Sequence, residues 1–279
     1  MSFETVLYHT DGPLAVLTLN RPDKLNAING PMVGELGQAL DLAEADMSVR
    51  AVILAGEGRA FSAGFDLDMG GDPAEMADIG FLRRELRRDL DIIMRFWDCP
   101  KVTIAAVHRY CLGSAMEMAV ACDITIAAQG CCFGAPEVKF GSGIVALVLP
   151  WLIGPKRAKE LLLTGDDRVS AERALEMGLV NRVVPAERLM EAALGLGRQI
   201  AVNDQLAVQL TKQAINRSCD VAGLRQALEQ ALELDVIIEA TETEESRQFN
   251  EILQRDGAKA AIEWREARLQ QYAPNAAEE

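Results

Sequence analysis

Residues 110–123 of the chain have the sequence YCLGSAMEMAVACD. A turn signal at Gly113 precedes a run of small and apolar residues, which predicts a tightly packed, buried helix. One acid, Glu117, lies within this run. Because burying a carboxylate is costly unless it is hydrogen-bonded or kept neutral, an acid at this position indicates a chemical role.

A second acid, Glu137, follows a proline in the sequence GAPE at residues 134–137. We expect the carboxyl groups of Glu117 and Glu137 to face each other across a small pocket and to move protons. Each acid also has a purely structural interpretation. Glu117 is then a buried acid paired with an arginine, and Glu137 is a turn or helix-start residue after Pro136.

The composition is that of a soluble globular protein and argues against several classes of partner. The chain has 279 residues, 49% of them hydrophobic, and a net charge of −14. That charge disfavours nucleic acid and anionic membranes, which proteins bind chiefly through Lys and Arg. No apolar run reaches the roughly 18 residues of a membrane helix, and the first residues lack a signal-peptide pattern. We therefore expect a cytoplasmic protein with no nucleic-acid or membrane partner.

The cysteines and histidines do not suggest a metal site. The six cysteines show neither a CxxC pair nor the spacing of a disulfide framework, and we interpret them as reduced, mostly buried thiols. His9 and His108 are the only two histidines, which excludes a histidine-rich site. No metal is expected.

Strand, loop and helix signals alternate through the first part of the chain. Buried β-branched strands are predicted at 49–55, 102–107 and 124–128, and helices at 31–45 and 76–97. This alternation predicts an α/β fold with right-handed crossovers.

The character of the sequence changes after residue 144, where helix signals follow one another. No strand signal occurs from about residue 204 onward. We assign residues 1–203 to the α/β core and residues 204–279 to a helical C-terminal region that packs on the core or on a neighbouring subunit.

Seven short motifs occur in order along nearly the whole chain. They are NRPDKLNA (20–27), FSAGFDL (61–67), the central stretch ending in ACDI (121–124), FGAPE (133–137), LPWLIG (149–154), LLLTG (161–165) and ALEMGLV (174–180). Together they resemble the crotonase family, also called the enoyl-CoA hydratase/isomerase superfamily. The resemblance implies a spiral of ββα units, a helical C-terminal trimerisation region, and assembly as a homotrimer or homohexamer.

The resemblance also implies acyl-CoA chemistry. The backbone N–H groups of Phe65 and Ser114 would bind the thioester oxygen and stabilise the negative charge that develops on it. Glu117 would activate a water molecule, and Glu137 would deliver a proton to the α-carbon. Coenzyme A enters as part of the substrate, with no metal or redox cofactor.

The same resemblance assigns the contacts to coenzyme A. The adenine would lie against residues 63–68, and the pantetheine between that loop and residues 24–27. Lys24 and Arg21 would meet the phosphates. The residues expected to bind substrate are Lys24, Asn26, Ala27, Ala63, Gly64, Asp66, Leu67, Asp68 and Gly113.

Three features depart from the family pattern. The glycine run before the first acid is replaced by Gly113-Ser114-Ala115, which keeps the N–H donors. After Glu137, the sequence VKFGSGIV (138–145) replaces a longer loop with a proline and several glycines. Residues 69–73, MGGDP, are also unusual in a region that shapes acyl specificity.

The sequence leaves three functions open. The first is hydration of a trans-2-enoyl-CoA to a 3-hydroxyacyl-CoA by syn addition, which uses both glutamates. The altered segment after Glu137 keeps open double-bond isomerisation, or another reaction of the family, with one acid as a proton shuttle. A non-catalytic acyl-CoA-binding subunit is the alternative from another class, and the presence of both glutamates argues against it.

Overall fold

A computed structural model of the chain describes residues 3–67 and 78–270. Six strands form the larger sheet, in the order β1-β2-β3-β4-β6-β9. Strands β1 and β2 pair antiparallel as a hairpin, and all other neighbours in this sheet are parallel. The bounds of these strands are β1 Val6–Asp11, β2 Leu14–Leu19, β3 Ala51–Gly56, β4 Val102–Val107, β6 Ile124–Ala128 and β9 Arg182–Val184.

A second, smaller sheet has the order β5-β7-β8. Strands β5 (Tyr110–Leu112) and β7 (Cys132–Gly134) are parallel, and β8 (Val169–Ser170) runs antiparallel to β7. Each of β5 and β7 follows a strand of the larger sheet after a short connection. The chain therefore passes twice from one sheet to the other, which brings residues 113 and 137 to the same end of the small sheet.

Helices separate and cover these strands. Within the described residues their bounds are α1 Gly30–Ala45, α2 Ile79–Asp98, α3 Ser114–Ala121, α4 Glu137–Phe140, α5 Leu149–Ile153, α6 Pro155–Thr164, α7 Ala171–Met177, α8 Leu189–Ala201, α9 Gln205–Val221, α10 Leu224–Glu239, α11 Glu244–Asp256 and α12 Ala258–Gln270. The predicted buried helix of the central stretch is α3, all of whose residues are buried.

The larger sheet has an apolar core on each face. Along β3, Val52 and Leu54 belong to one core, and Ala51, Ile53 and Ala55 belong to the other. This alternation follows from the pleat, which points successive side chains to opposite faces. Because both faces are covered, the strand is continuously apolar, as expected for a buried parallel sheet. The α/β fold class predicted from the sequence is confirmed.

The helical C-terminal region is attached to the core by a buried ion pair. Lys212 of α9 donates from Nζ to Asp123 Oδ2 at 2.7 Å and to the carbonyl oxygen of Lys101 at 3.0 Å. Asp123 also accepts hydrogen bonds from Thr103. Asp123, the residue that follows helix α3 and its C-cap, therefore links the central stretch to α9.

Helix α10 packs along α2, and ion pairs cross between them. Arg83 pairs with Glu233, and Arg87 pairs with Glu229. All four side chains are exposed to solvent, so these pairs lie on the surface of the protein. Their spacing of four residues places them on one face of the helix, opposite two glutamates with the same spacing.

Several short elements were not predicted. Strands β5, β8 and β9 have two or three residues each, too few for a periodic signal. Helices α11 and α12 are separated at Gly257, which has a φ of +86°. The division of the chain at residue 204 stays a prediction. No helix in the described ranges is long and apolar enough to cross a membrane.

Replacing Lys212 with methionine leaves the Asp123 carboxylate without its cationic partner in a mostly buried position. We expect the free energy of unfolding to fall by about 3–5 kcal/mol, measured by chemical denaturation. Arg173→Met, which removes the exposed pair with Glu176, should cost less than about 1 kcal/mol. Equal losses in the two variants would contradict this account of α9.

Candidate active site

Four chain segments lie side by side and define the site. They are residues 25–28, 62–66, 110–114 and 134–137. Backbone hydrogen bonds join each segment to the next: Ala63 N to Leu25 O at 3.0 Å, Ile28 N to Gly64 O at 2.8 Å, Ser62 N to Tyr110 O at 3.1 Å, Leu112 N to Ser62 O at 3.2 Å, and Gly113 N to Gly134 O at 2.8 Å. Since these bonds are made by the main chain, the relative position of the segments is fixed independently of most side chains.

Asn26 anchors the first segment. Its side chain is fully buried, with 0% exposure, and Nδ2 donates to the carbonyl oxygens of Glu57, Ala60 and Phe61 at 2.8, 2.8 and 3.1 Å. Its Oδ1 accepts from the Arg21 N–H at 2.8 Å. Both polar groups of the amide are thus engaged inside the protein, so the side chain positions the loops.

The same loop carries two successive non-glycine residues in the left-handed region. The φ angles are +50° at Leu25 and +55° at Asn26. Such residues are uncommon and cost free energy unless the surroundings impose them. Here the buried amide of Asn26 imposes the conformation, which presents the peptide groups of residues 25–28 to the second segment.

Gly64 and Gly113 bring the second and third segments into close contact. Both have positive φ, +91° and +57°. A Cβ added to Gly64 would lie 2.9 Å from the carbonyl oxygen of Leu112 and 3.5 Å from the backbone nitrogen of Ser114. Glycine is required at residue 64 by both backbone conformation and space.

The backbone N–H groups of Phe65 and Ser114 lie on either side of this contact. The Ile28 N–H donates to Gly64 O, and the Asp66 N–H donates to Ile28 O. The N–H of Phe65, between these two bonds, takes no part in the pairing of the two segments. Ser114 is the first residue of α3 and its N–H belongs to the open first turn. Within the described ranges, neither N–H has an acceptor.

Glu117 is buried in the first turn of α3, with 5% exposure. Its Oε2 accepts a hydrogen bond from the Ala146 N–H at 3.1 Å. Burial raises the pKa of Glu117 well above its usual range, and the negative charge of Glu137 raises it further, while the Ala146 N–H opposes the rise. In the described part of the chain no arginine forms an ion pair with Glu117, so its interpretation as an arginine-paired acid is wrong.

Glu137 is the first residue of α4 and lies against Gly113. A Cβ on Gly113 would be 2.5 Å from Glu137 Oε1, and Oε2 is buried without a hydrogen-bond partner. Burial raises the pKa of Glu137 to about 7, and the charge of Asp235 adds to the rise. Glu137 is therefore a helix-start residue, as its structural interpretation predicted. Its carboxyl group also contacts the segment that carries Ser114.

The residues assigned to coenzyme A surround the first two segments. Lys24 and Leu67 are exposed, and Ala27 and Ala63 are half-buried. Arg21 is engaged within the protein, donating from Nη1 to Ala27 O at 2.5 Å and to Asp66 Oδ2 at 2.8 Å. Its guanidinium therefore links the two loops. Asp68, also assigned to substrate binding, lies outside the described residues.

Two further buried acids near the pair were missed by the sequence reasoning. Asp235 of α10 and Asp89 of α2 are 2% and 5% exposed, and the charge of each raises the pKa of Glu117. A signal was available for Asp235. It follows Leu224, Leu228 and Leu232 at helical spacing, so the apolar stripe of α10 continues into an acid.

A cavity elsewhere in the fold contains none of the predicted site residues. It measures about 260 Å³ and opens at the carboxyl ends of β3, β4 and β6, between those strands and the start of α8. His108, Arg109, Gln129 and Glu187 are its polar lining residues. Neither Glu117 nor Glu137 borders it, so it is separate from the four segments.

Known proteins resemble this chain in sequence and in structure. A sequence model of the family described as enoyl-CoA hydratase/isomerase matches residues 9–269. A probable enoyl-CoA hydratase of Rhizobium meliloti (strain 1021) is 38% identical over 239 residues, covering 81% of this chain and 87% of that protein. A short-chain-enoyl-CoA hydratase of Clostridium acetobutylicum is 38% identical over 234 residues, covering 79% and 85%.

The crystal structure of an enoyl-CoA hydratase/isomerase from Xanthobacter autotrophicus Py2 superposes with a TM-score of 0.91 at 49% sequence identity. The superposition covers 96% of this chain and 99% of that one. Together with the family match over residues 9–269, this agreement shows that the chain belongs to the enoyl-CoA hydratase/isomerase family, the crotonase superfamily.

Proposed function

We propose that this chain hydrates trans-2-enoyl-CoA to 3-hydroxyacyl-CoA. The observation that carries the proposal is the juxtaposition of two buried carboxyl groups with two backbone N–H groups that have no acceptor in the described ranges. The carboxyl groups are those of Glu117, which is 5% exposed, and Glu137, whose Oε2 is buried. The N–H groups are those of Phe65 and Ser114. The names of the relatives agree with this activity.

The two N–H groups are assigned to the thioester oxygen. When water adds to the double bond, negative charge accumulates on that oxygen, and donors fixed in advance stabilise it without reorganisation. The hydrogen bonds around Gly64 and Gly113 hold these donors in place. Ser114 also begins α3, whose first turn favours negative charge.

The two acids are assigned to the protons. Glu117 accepts a proton from water as the water oxygen bonds to the β-carbon, and Glu137 donates a proton to the α-carbon. Glu137 is assigned to the carbon because its Oε1 lies beside Gly113, next to the N–H that binds the thioester oxygen. The α-carbon is bonded directly to the thioester carbonyl, so its proton donor has to lie there.

The productive arrangement has one proton on the pair, carried by Glu137. Burial raises the pKa of both carboxyl groups, so the pair can hold a proton near neutral pH. A water molecule that donates to Glu117 joins the Ala146 N–H in solvating that carboxylate. This favours an ionised Glu117 and a protonated Glu137.

Coenzyme A is assigned to the outer face of the loops at residues 24–27 and 63–68. Lys24 is an exposed cation that can meet a phosphate, whereas the Arg21 guanidinium is bonded to Ala27 O and Asp66. Asn26 contributes by holding the loop. The reaction as written uses no metal and no redox cofactor.

The assembly is proposed to be a homotrimer or homohexamer in the cytoplasm, with a role in fatty acid metabolism. Exposed apolar side chains on the C-terminal helices support self-association, since clustered exposed apolar surface commonly marks an interface. They include Leu206, Leu210, Leu234 and Ile237.

The direct test follows the ultraviolet absorbance of crotonyl-CoA mixed with the protein. Hydration predicts loss of the conjugated enoyl thioester signal and formation of 3-hydroxybutyryl-CoA. Conversion of a 3-enoyl-CoA to the conjugated isomer without hydration would replace the proposal with an isomerase. Binding of acyl-CoA with no turnover of either substrate would identify a binding subunit.

Glu137→Gln should bind crotonyl-CoA with near wild-type affinity and lose about 10²–10⁴ of the hydration rate. The amide preserves shape but has no proton to give to the α-carbon. Glu176→Gln, which changes an exposed acid on α7, is the matched control and should retain full activity. Wild-type turnover by Glu137→Gln would remove Glu137 from the mechanism.

Gly113→Ala should lower the hydration rate by about 10² or more, because its Cβ would meet Glu137 Oε1 at 2.5 Å and the φ of residue 113 is +57°. Gly195→Ala is the matched control. A Cβ at that helical glycine meets nothing within 4 Å, so activity should be unchanged. Full activity in Gly113→Ala would show that the position of Glu137 is not critical.

The value of kcat/KM for crotonyl-CoA should rise as pH increases through about 7 and fall again at higher pH. At low pH both acids are protonated and no base is available, and at high pH the pair has no proton to donate. The acid limb is the loss of the first proton from the coupled pair, and it lies near 7 because burial raises the pKa of both carboxyl groups above 4.5, that of Glu137 to about 7. An acid limb near 4.5 would contradict the burial of the pair.

A further inference from the structure

Buried polar atoms without hydrogen-bond partners are concentrated around the proposed site. In the described part of the chain these atoms are Trp97 Nε1, Ser114 Oγ, Glu137 Oε2, Asp235 Oδ1, Asp235 Oδ2 and Arg265 Nε. Ser114 and Glu137 belong to the site already described. Because buried polar groups in native proteins are almost always hydrogen-bonded, the two free oxygens of Asp235 require an explanation.

Asp235 packs against the segment that joins the two catalytic acids. A Cβ on Gly143 would overlap Oδ1 of Asp235 and lie 2.9 Å from its Cγ. Next to Gly143, Ser142 N donates to the backbone oxygen of Glu137 at 3.1 Å. Further along the same segment, the Ala146 N–H donates to Glu117. The carboxyl group of Asp235 thus contacts the segment that runs from one catalytic acid to the other.

The surroundings supply no cationic partner for Asp235 in the described part of the chain. Within the described ranges no lysine, arginine or histidine forms an ion pair with it. The charges that act on it are those of Glu239 and Asp89, and its own charge acts on Glu117 and Glu137. All of these groups are acids. The Gly143 N–H lies near the carboxyl group and opposes the burial effect on the pKa of Asp235, although neither oxygen has a partner at hydrogen-bond geometry.

A structural role does not account for this residue. The rest of the buried stripe of α10 is apolar, at Leu224, Leu228, Leu232 and Val236. A leucine at 235 would continue that stripe without the desolvation cost of a carboxyl group. The acid is therefore retained at a cost in stability, at a position 2% exposed and beside the reacting pair.

We propose that Asp235 receives a hydrogen-bond donor carried by the acyl chain of the substrate, either a hydroxyl group or a protonated amine. This inference rests on the proposed hydratase function and adds the class of acyl group. A hydroxyl group satisfies one oxygen of Asp235 and an ammonium group can satisfy both, whereas an alkyl chain leaves both unpaired. A carboxylate-terminated chain is disfavoured because it adds a negative charge to a group of acids.

The test compares 2-enoyl-CoA substrates of four to eight acyl carbons that end in methyl, hydroxymethyl or aminomethyl. At the length that reaches Asp235, the wild type should favour the hydroxyl or amine over the methyl end by at least about tenfold in kcat/KM. Asp235→Leu should lose that preference and gain activity on the methyl series. Asp235→Asn, the matched variant, should keep the preference for the hydroxyl and lose any for the amine.

The two proposals fail in distinguishable ways. Hydration of crotonyl-CoA with no preference among the three ends, at any length, would overturn the inference and leave the hydratase function intact. If no substrate is hydrated, the function is wrong, and calorimetric binding of the saturated acyl-CoAs decides the inference. Wild type should then bind the hydroxyl or amine end more tightly, and Asp235→Leu the methyl end.

A lower melting temperature for Asp235→Leu than for wild type would also contradict the inference, since it would show a structural role.

Discussion

The main-chain hydrogen bonds that hold residues 62–66 between residues 25–28 and strand β5 are the constraint on which the site depends. They place the N–H of Phe65 next to that of Ser114, although the two residues come from different turns of the fold. Asn26 stabilises this arrangement, because its buried side-chain amide donates to three backbone carbonyl oxygens. Catalysis of this kind needs donors that are fixed before charge appears, and backbone donors held by other backbone groups meet that need.

The proposed reaction also requires that the carboxyl groups of two acids be buried away from water. Glu117 is buried in α3 and Glu137 at the start of α4, and burial raises the pKa of both. In such surroundings a carboxyl group holds a proton at neutral pH, so one acid of the pair can act as a donor while the other acts as a base. The same burial costs stability, and the chain adds to that cost with Asp89 and Asp235 nearby. The Lys212–Asp123 ion pair joins α9 to the core, and exposed ion pairs join α2, which carries Asp89, to α10, which carries Asp235.

The sequence was sufficient for the α/β class and for the long strands and helices, because each has a strong local signal; the catalytic role of the two glutamates stays a prediction. A single acid within the small, apolar run of α3 pointed to Glu117 without any structural information. Short strands such as β5 carry no periodic pattern, and they depend on pairing with chain that is distant in sequence. The engagement of Arg21 with Asp66, and the contact of Asp235 with Gly143, join residues 45 and 92 positions apart. No local pattern encodes such contacts, although the acid in the leucine stripe of α10 was a visible anomaly.

The central claim is that the N–H groups of Phe65 and Ser114 bind the oxygen of an acyl thioester beside the two glutamates. A crystal structure of the protein with a saturated acyl-CoA, such as butyryl-CoA, measures this directly. The account predicts a thioester oxygen about 2.7–3.1 Å from both backbone nitrogens, with the acyl chain passing between Glu117 and Glu137. A thioester bound elsewhere, or an oxygen that contacts neither nitrogen, would contradict it.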